Sequence, residues 1–331
     1  MTIPHSLRPP KLLLLSLATS LLIGAAARAA DAPLRKDDPI PVAGTQGGFD
    51  FLEVDPAAAV LLCPHAGNGT LDVIDLATGK LRASIPTGKA QGVAVDAQAK
   101  AYYVSISKET KLVLVDAASA KVTGEVPLPG PADVMAFDPK NGTAYIGHDD
   151  AAEVWAVDVK ARRVVASIPL PEGPEAIVYD AVHDRVYANS KSGNLVVVVD
   201  PAVNKPIASW PTAPAQAPHG SALDAEGNRL FVAGGNGKLV AIDLSSGKVV
   251  ATADMAPGVD QIAYDPALKR VYCASGKGTL SVLDASSGLS PLGDVPTQPG
   301  VHSVAVDPQS HAVWIAYATD RTGPAYVQRL R

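Results

Sequence analysis

Seven polar residues recur at one offset along this sequence. Asp50, Gln91, Asp133, Glu175, His219, Asp260 and His302 each stand five residues before an aspartate that closes an apolar run. The positions just after them are largely apolar or small, so their polarity is not a property of the neighbourhood. Carboxylates and imidazoles brought together can hydrogen-bond a polar ligand or hold zinc or another transition metal. A metal so held can activate water or polarise an ester or lactone carbonyl. His65 and the run His148-Asp149-Asp150 belong to the same inventory. No two of these histidines lie on one local element, so any joint site must be assembled by tertiary structure.

Three uses of this set compete. The first is a solvated, hydrogen-bonded rim. The second is a binding surface for a small polar ligand or a protein partner. The third is a divalent-metal site built from His219, Asp260, His302 and Asp50, serving a metal-dependent hydrolase or lyase of lactonase type. The sequence carries no nucleophile elbow, no phosphate-cradling glycine loop and no metalloprotease helix motif. Gly234-Gly235-Asn236-Gly237 reads as a hairpin turn, because no helix follows it.

The elements that must position these residues are repeats. One aspartate series runs Asp55, Asp96, Asp138, Asp180, Asp224, Asp265 and Asp307; a second runs Asp75, Asp116, Asp158, Asp200, Asp243 and Asp284. Steps within each series are 41 to 44 residues. That period is the one expected of four-stranded propeller blades. Apolar residues come in runs of four to six between turn signals and are rich in Val, Ile and Tyr, which favours strands over helices. The aspartates open hairpins, as in Asp138-Pro139-Lys140-Asn141-Gly142, where a carboxylate accepts from backbone further along and glycine supplies positive φ.

Two residues before each first aspartate sit Ala94, Ala136, Ala222, Ala263 and Ala305, the small residues that a crowded axis requires. Val178 and Glu53 are the exceptions, and Glu53 has no apolar excuse. The last repeat stops after three strands, while Pro39-Ile40-Pro41-Val42-Ala43-Gly44 copies the pattern that ends a repeat. The amino-terminal segment is thus expected to supply the missing outer strand and close the ring, removing exposed edges. The count is an all-β, seven-bladed propeller over residues 39–331, with the seven polar residues at the mouth where the innermost strands begin. His219, Asp260, His302 and Asp50 should then form one arc. His183 and His311 fall in turns of the opposite face.

Val186-Tyr187-Ala188-Asn189, Ala101-Tyr102-Tyr103-Val104-Ser105 and Val271-Tyr272-Cys273-Ala274 resemble the Tyr-Val-Thr-Asn-type motif of the YncE-like propellers. The Asp-x-x-Ser/Thr-Gly-Lys turns at Asp75 and Asp243 are similar to that family as well. The resemblance implies the propeller fold and makes the motif tyrosines core residues. It does not imply one activity, since members have been linked to nucleic-acid binding, cell-surface and periplasmic roles. Pro218-His219-Gly220 resembles a stretch of the streptogramin lyase propellers. Quinone-cofactor chemistry is disfavoured, because Trp155, Trp210 and Trp314 do not occupy a repeated position.

The first residues read as an export signal. Arg8 and Lys11 precede an apolar run from Leu12 to Ala27, and Ala27-Arg28-Ala29 fits a cleavage site. The expected organisation is a signal peptide at 1–29, a flexible linker at 30–38 and the propeller beyond, in a periplasmic or secreted monomer with no membrane span after cleavage. Losing Arg8, Lys11 and Arg28 leaves 25 basic against 33 acidic residues, a formal −8. Without a basic stripe, nucleic acid is disfavoured as the main partner. Cys63 and Cys273 occupy equivalent sites of repeats one and six, too far apart for a bridge. Two buried free thiols are expected.

Overall fold

The computed structural model describes residues 1–2, 33–148 and 151–331. The expected signal peptide from residue 3 onward and the pair Asp149 and Asp150 lie outside the described residues. Among those described, 28 strands, β1 to β28 in chain order, form seven four-stranded antiparallel sheets. Each of six sheets is built from four consecutive strands. The seventh has the order β1-β28-β27-β26, where β1 is Ile40–Gln46, β26 Ser303–Val306, β27 Val313–Ala318 and β28 Pro324–Leu330. Ile40 pairs with Val327 and Pro41 with Tyr326. The amino-terminal strand therefore completes the last blade, as the truncated final repeat requires. Residues expected as linker join this closure: Lys36 bridges to Leu330, and the Arg35 amide donates to the Arg331 carbonyl at 2.6 Å.

Burial explains the sequence pattern strand by strand. The second and third strands of a blade are covered on both faces by neighbouring blades, so they read as unbroken apolar runs. Val60–His65 (β3) is buried throughout, whereas the outer strand Leu81–Pro86 (β5) alternates. Fully burying one such Leu, Ile or Val side chain contributes about 1.5–3 kcal/mol. The core is divided into seven apolar slabs, one between each pair of adjacent blades. The slab between the last and first blades includes Val42 from β1 packed with Trp314, so ring closure is hydrophobic as well as hydrogen-bonded.

The first aspartates are turn residues. Asp55 Oδ1 accepts from the amides of Ala57 and Ala58 at 3.0 and 3.1 Å, and Asp96, Asp138, Asp180 and Asp265 repeat the arrangement. Two motif tyrosines cap these turns from the core: Tyr102 donates to Asp55 at 3.0 Å and Tyr103 to Asp96 at 2.8 Å. Four residues after each first aspartate the backbone turns left-handed, at Ala59, Lys100, Gly142, Asp184, Asn228, Lys269 and His311. Both cysteines are buried and free.

Candidate functional site

The innermost strands begin at one mouth of the ring. They are Glu53–Asp55 (β2), Ala90–Asp96 (β6), Ala132–Asp138 (β10), Pro174–Asp180 (β14), Pro218–Asp224 (β18), Val259–Asp265 (β22) and β26. In β6, β10, β14, β18 and β22 the pairing with the next strand slips just where the polar residue sits, as between Pro218 and Ser221 or Val259 and Ile262. Such a bulge bends the strand and re-aims a side chain. Asp50 and His302 fall just before the shorter β2 and β26. All seven polar residues are half-buried.

Four of the seven have their backbone carbonyls anchored by the preceding blade. Gln91 O accepts from the Phe51 amide at 3.2 Å, and His302 O from the Gln261 amide at 3.0 Å. Asp133 O accepts from Ser105 Oγ, and His219 O from Asn189 Nδ2 at 2.5 Å. Ser105 and Asn189 were legible as polar residues late in otherwise apolar second strands. With their carbonyls held in this way, these four residues keep their side chains for the mouth.

Four of the seven join into a continuous chain. His219 Nδ1 lies 3.3 Å from both Glu175 Oε2 and Asp260 Oδ1, and His302 Nδ1 lies 2.8 Å from Asp260 Oδ2. Lys191 extends it, with Nζ 2.8 Å from Glu175 Oε1. Gly220 permits this approach: a Cβ there would fall 2.5 Å from the Asp260 carbonyl oxygen. Burial opposes ionisation of Asp260, yet the hydrogen bonds and charges of the two imidazoles outweigh it and hold the carboxyl well below its usual range. Burial likewise works against a charged His302, but the Asp260 hydrogen bond and charge raise its pKa above the ordinary histidine value. Asp50 is raised by burial and by the like charge of Asp133, with His302 opposing.

The histidines of the second-to-third strand loops are placed differently. His65 is fully buried, with Nδ1 2.6 Å from Asp72 Oδ2 and Nε2 2.8 Å from the Gly47 carbonyl. Phe49 stacks on its ring at 3.9 Å. Both nitrogens are thus committed to fastening the segment after β1 onto blade one, and His65 presents nothing to the mouth. His148 packs edge-on against Trp155, 4.6 Å between ring centroids, and over Gly130. His183 and His311 bind the turn carboxylates of Asp180 and Asp265 at 2.6 and 2.8 Å. Among the described residues no group of three or more His, Cys, Asp or Glu side chains is placed to hold a metal ion. His219 and His302 direct Nδ1 at Asp260 instead.

Below the rim lies the axial channel. One cavity of about 380 Å³ is lined by the residues that follow the rim positions, among them Phe51, Gly92, Val134 and Ala176. A second, of about 390 Å³, reaches toward Pro56 and Pro308 on the other face. Leu52, Glu53, Ala222, Gln261 and Ile262 line both. At this waist Gln261 Oε1 accepts from the amides of Leu52 and Val304 at 2.9 and 3.0 Å, while Nε2 donates to the Leu52 carbonyl at 2.8 Å. One side chain therefore stitches blades one, six and seven. Nothing in the repeat alignment singled it out.

Fold and site define a seven-bladed β-propeller with a polar, mostly acidic mouth. A family model described as outer membrane protein assembly factor BamB matches residues 202–318, short of half the chain. No curated protein matches it significantly. Among solved structures, hydrazine synthase of Kuenenia stuttgartiensis is similar at 16% identity, covering 83% of this chain and 95% of that one with a TM-score of 0.73. The RRP9 WD40 repeats align at 12% identity over 90% of this chain and 100% of theirs, TM-score 0.75. U3-55K aligns at 12% over 88% and 98%, TM-score 0.73. At these identities the likeness is one of fold.

Proposed function

We propose that this chain is an exported, YncE-like binding or scaffold propeller, periplasmic or secreted, that recognises a small polar ligand or a protein partner at the mouth ringed by Asp50 to His302. The observation that carries this reading is the chain Glu175–His219–Asp260–His302, which links side chains of four blades at the mouth by successive contacts of 3.3, 3.3 and 2.8 Å. Charged groups aligned this way are preorganised to exchange partners with an incoming polar group at little reorganisation cost. The description of the matching family model, an assembly factor, suits a protein that works by binding.

The test compares two faces of the ring. A photoreactive residue in place of Gln91 on the mouth should capture a partner in the native compartment, and His219→Ala with His302→Ala should abolish that capture. Equal capture by the same residue in place of Leu268, on the opposite face, would sink the reading. The metal-dependent hydrolase or lyase reading makes a separate demand. It requires stoichiometric divalent metal in the purified protein, lost in the same double variant.

A further inference from the structure

Glu53 occupies the one inner-strand position where five other blades carry alanine and one carries Val178. Its side chain therefore stands in the channel, where it lines both cavities and is open to channel water. Apolar side chains surround it, Val95, Ala136, Ile177 and Val178 on one side of the waist and Ala263 and Ala305 on the other, with polar backbone atoms between them. Its only hydrogen bond among the described residues comes from the Val54 amide at 3.1 Å. No lysine, arginine or histidine among them forms an ion pair with it, and the charge that acts on it is that of a second carboxylate, Asp55. Channel water lessens the cost of a carboxylate that has no cation beside it without abolishing that cost, and a cation that entered would remove what remains.

We propose that the channel is a binding site for an organic ammonium ion, its charge on the Glu53 carboxylate and its apolar body along the channel wall. A bare metal ion is disfavoured, because the lining side chains offer a single carboxylate, with Ser221, Gln261 and two phenols as the other polar groups. A neutral apolar ligand would leave the carboxylate unpaired. The site uses channel residues that the rim reading does not.

Titration of Glu53 supplies a signature. Burial, with Asp55 adding to it and the Val54 amide opposing, moves its carboxyl from the ordinary 4.5 to about 7. The other titratable side chains lining the channel are phenols: Tyr264 is pushed up to about 12 by burial and Asp224, and Tyr179 is raised further by burial and Asp138. Asp55 is tied into its turn and to Tyr102.

The experiment is calorimetric titration of the full chain with n-hexylammonium and phenethylammonium at pH 8 and pH 5.5, with 1-hexanol as the neutral control. Saturable binding of the ammonium ions is expected at pH 8, weakened about tenfold or more at pH 5.5 and in Glu53→Gln. Glu53→Gln keeps the side-chain volume, and its thermal unfolding verifies the fold. Binding unchanged in Glu53→Gln, equal binding of 1-hexanol, or no saturable binding at pH 8 would each overturn the proposal. Loss in His302→Ala with retention in Glu53→Gln would move the ammonium to the rim, ending this proposal while leaving the rim reading intact.

Discussion

Gln261 holds both backbone groups of Leu52, accepting from its amide at 2.9 Å and donating to its carbonyl at 2.8 Å, although 209 residues separate them. The same Oε1 takes the Val304 amide. Ring closure is thus made twice, by β1 at the rim of blade seven and by this amide at the axis. Gln261→Ala strands three buried backbone groups, each costing about 1–3 kcal/mol. The expected loss is about 3–5 kcal/mol in urea unfolding, and a loss under 1 kcal/mol would show that the stitch is dispensable.

Asp260→Asn removes the charge that raises the His302 pKa. The His302 pKa, followed by NMR titration, should fall. Because the folded-state value lies above the ordinary one, His302 contributes stability below about pH 6.5 that is lost as pH rises through the folded pKa. The variant should therefore be destabilised at pH 5.5, with the His302 part of that penalty lost as pH rises through the folded pKa. An unmoved His302 titration would contradict the pairing.

Gly220→Ala tests how the arc is assembled. Its φ is ordinary, so the cost is steric: the new Cβ meets the Asp260 carbonyl oxygen at 2.5 Å and the Ile262 nitrogen at 2.9 Å. Blades five and six must separate, at about 1–3 kcal/mol, and the His219–Asp260 approach should lengthen. Wild-type stability in this variant would refute the close packing.

Glu53 links channel chemistry to stability with the same sign as His302, because both pKa values are raised in the folded state. Its folded state holds a proton more tightly than the unfolded chain, so this group's contribution falls as pH rises from 4.5 to 7. Glu53→Gln should therefore be more stable than wild type at pH 8, by about 1–2 kcal/mol once channel water is allowed for. The two should converge toward pH 4. Parallel stability curves would refute the raised carboxyl.

The left-handed turns offer a backbone test free of packing. Gly142 has φ +63° and open space where a Cβ would stand, so Gly142→Ala should cost about 1 kcal/mol. At the equivalent Ala59, φ 51°, the reverse change to glycine should gain about 0.5 kcal/mol, less than the strain because glycine also loosens the unfolded chain. Thermal unfolding of both variants decides it.

Much of this architecture is local and was therefore written in the repeats. Aspartate turns, apolar runs and a period of 41 to 44 residues determine blades, and a repeat lacking one strand determines where its partner must come from. The alignment also placed the seven rim residues at one offset, because equivalent positions in equivalent blades face the same axis. It misplaced His65, since a polar residue at a strand end reads the same whether it faces solvent or a buried carboxylate such as Asp72. Only the assembled ring decided that His219 and His302 converge on Asp260, that Gln261 spans three blades and that Glu53 stands unpaired in the channel. Those relationships join residues tens to hundreds of positions apart, through distances set by how the blades pack.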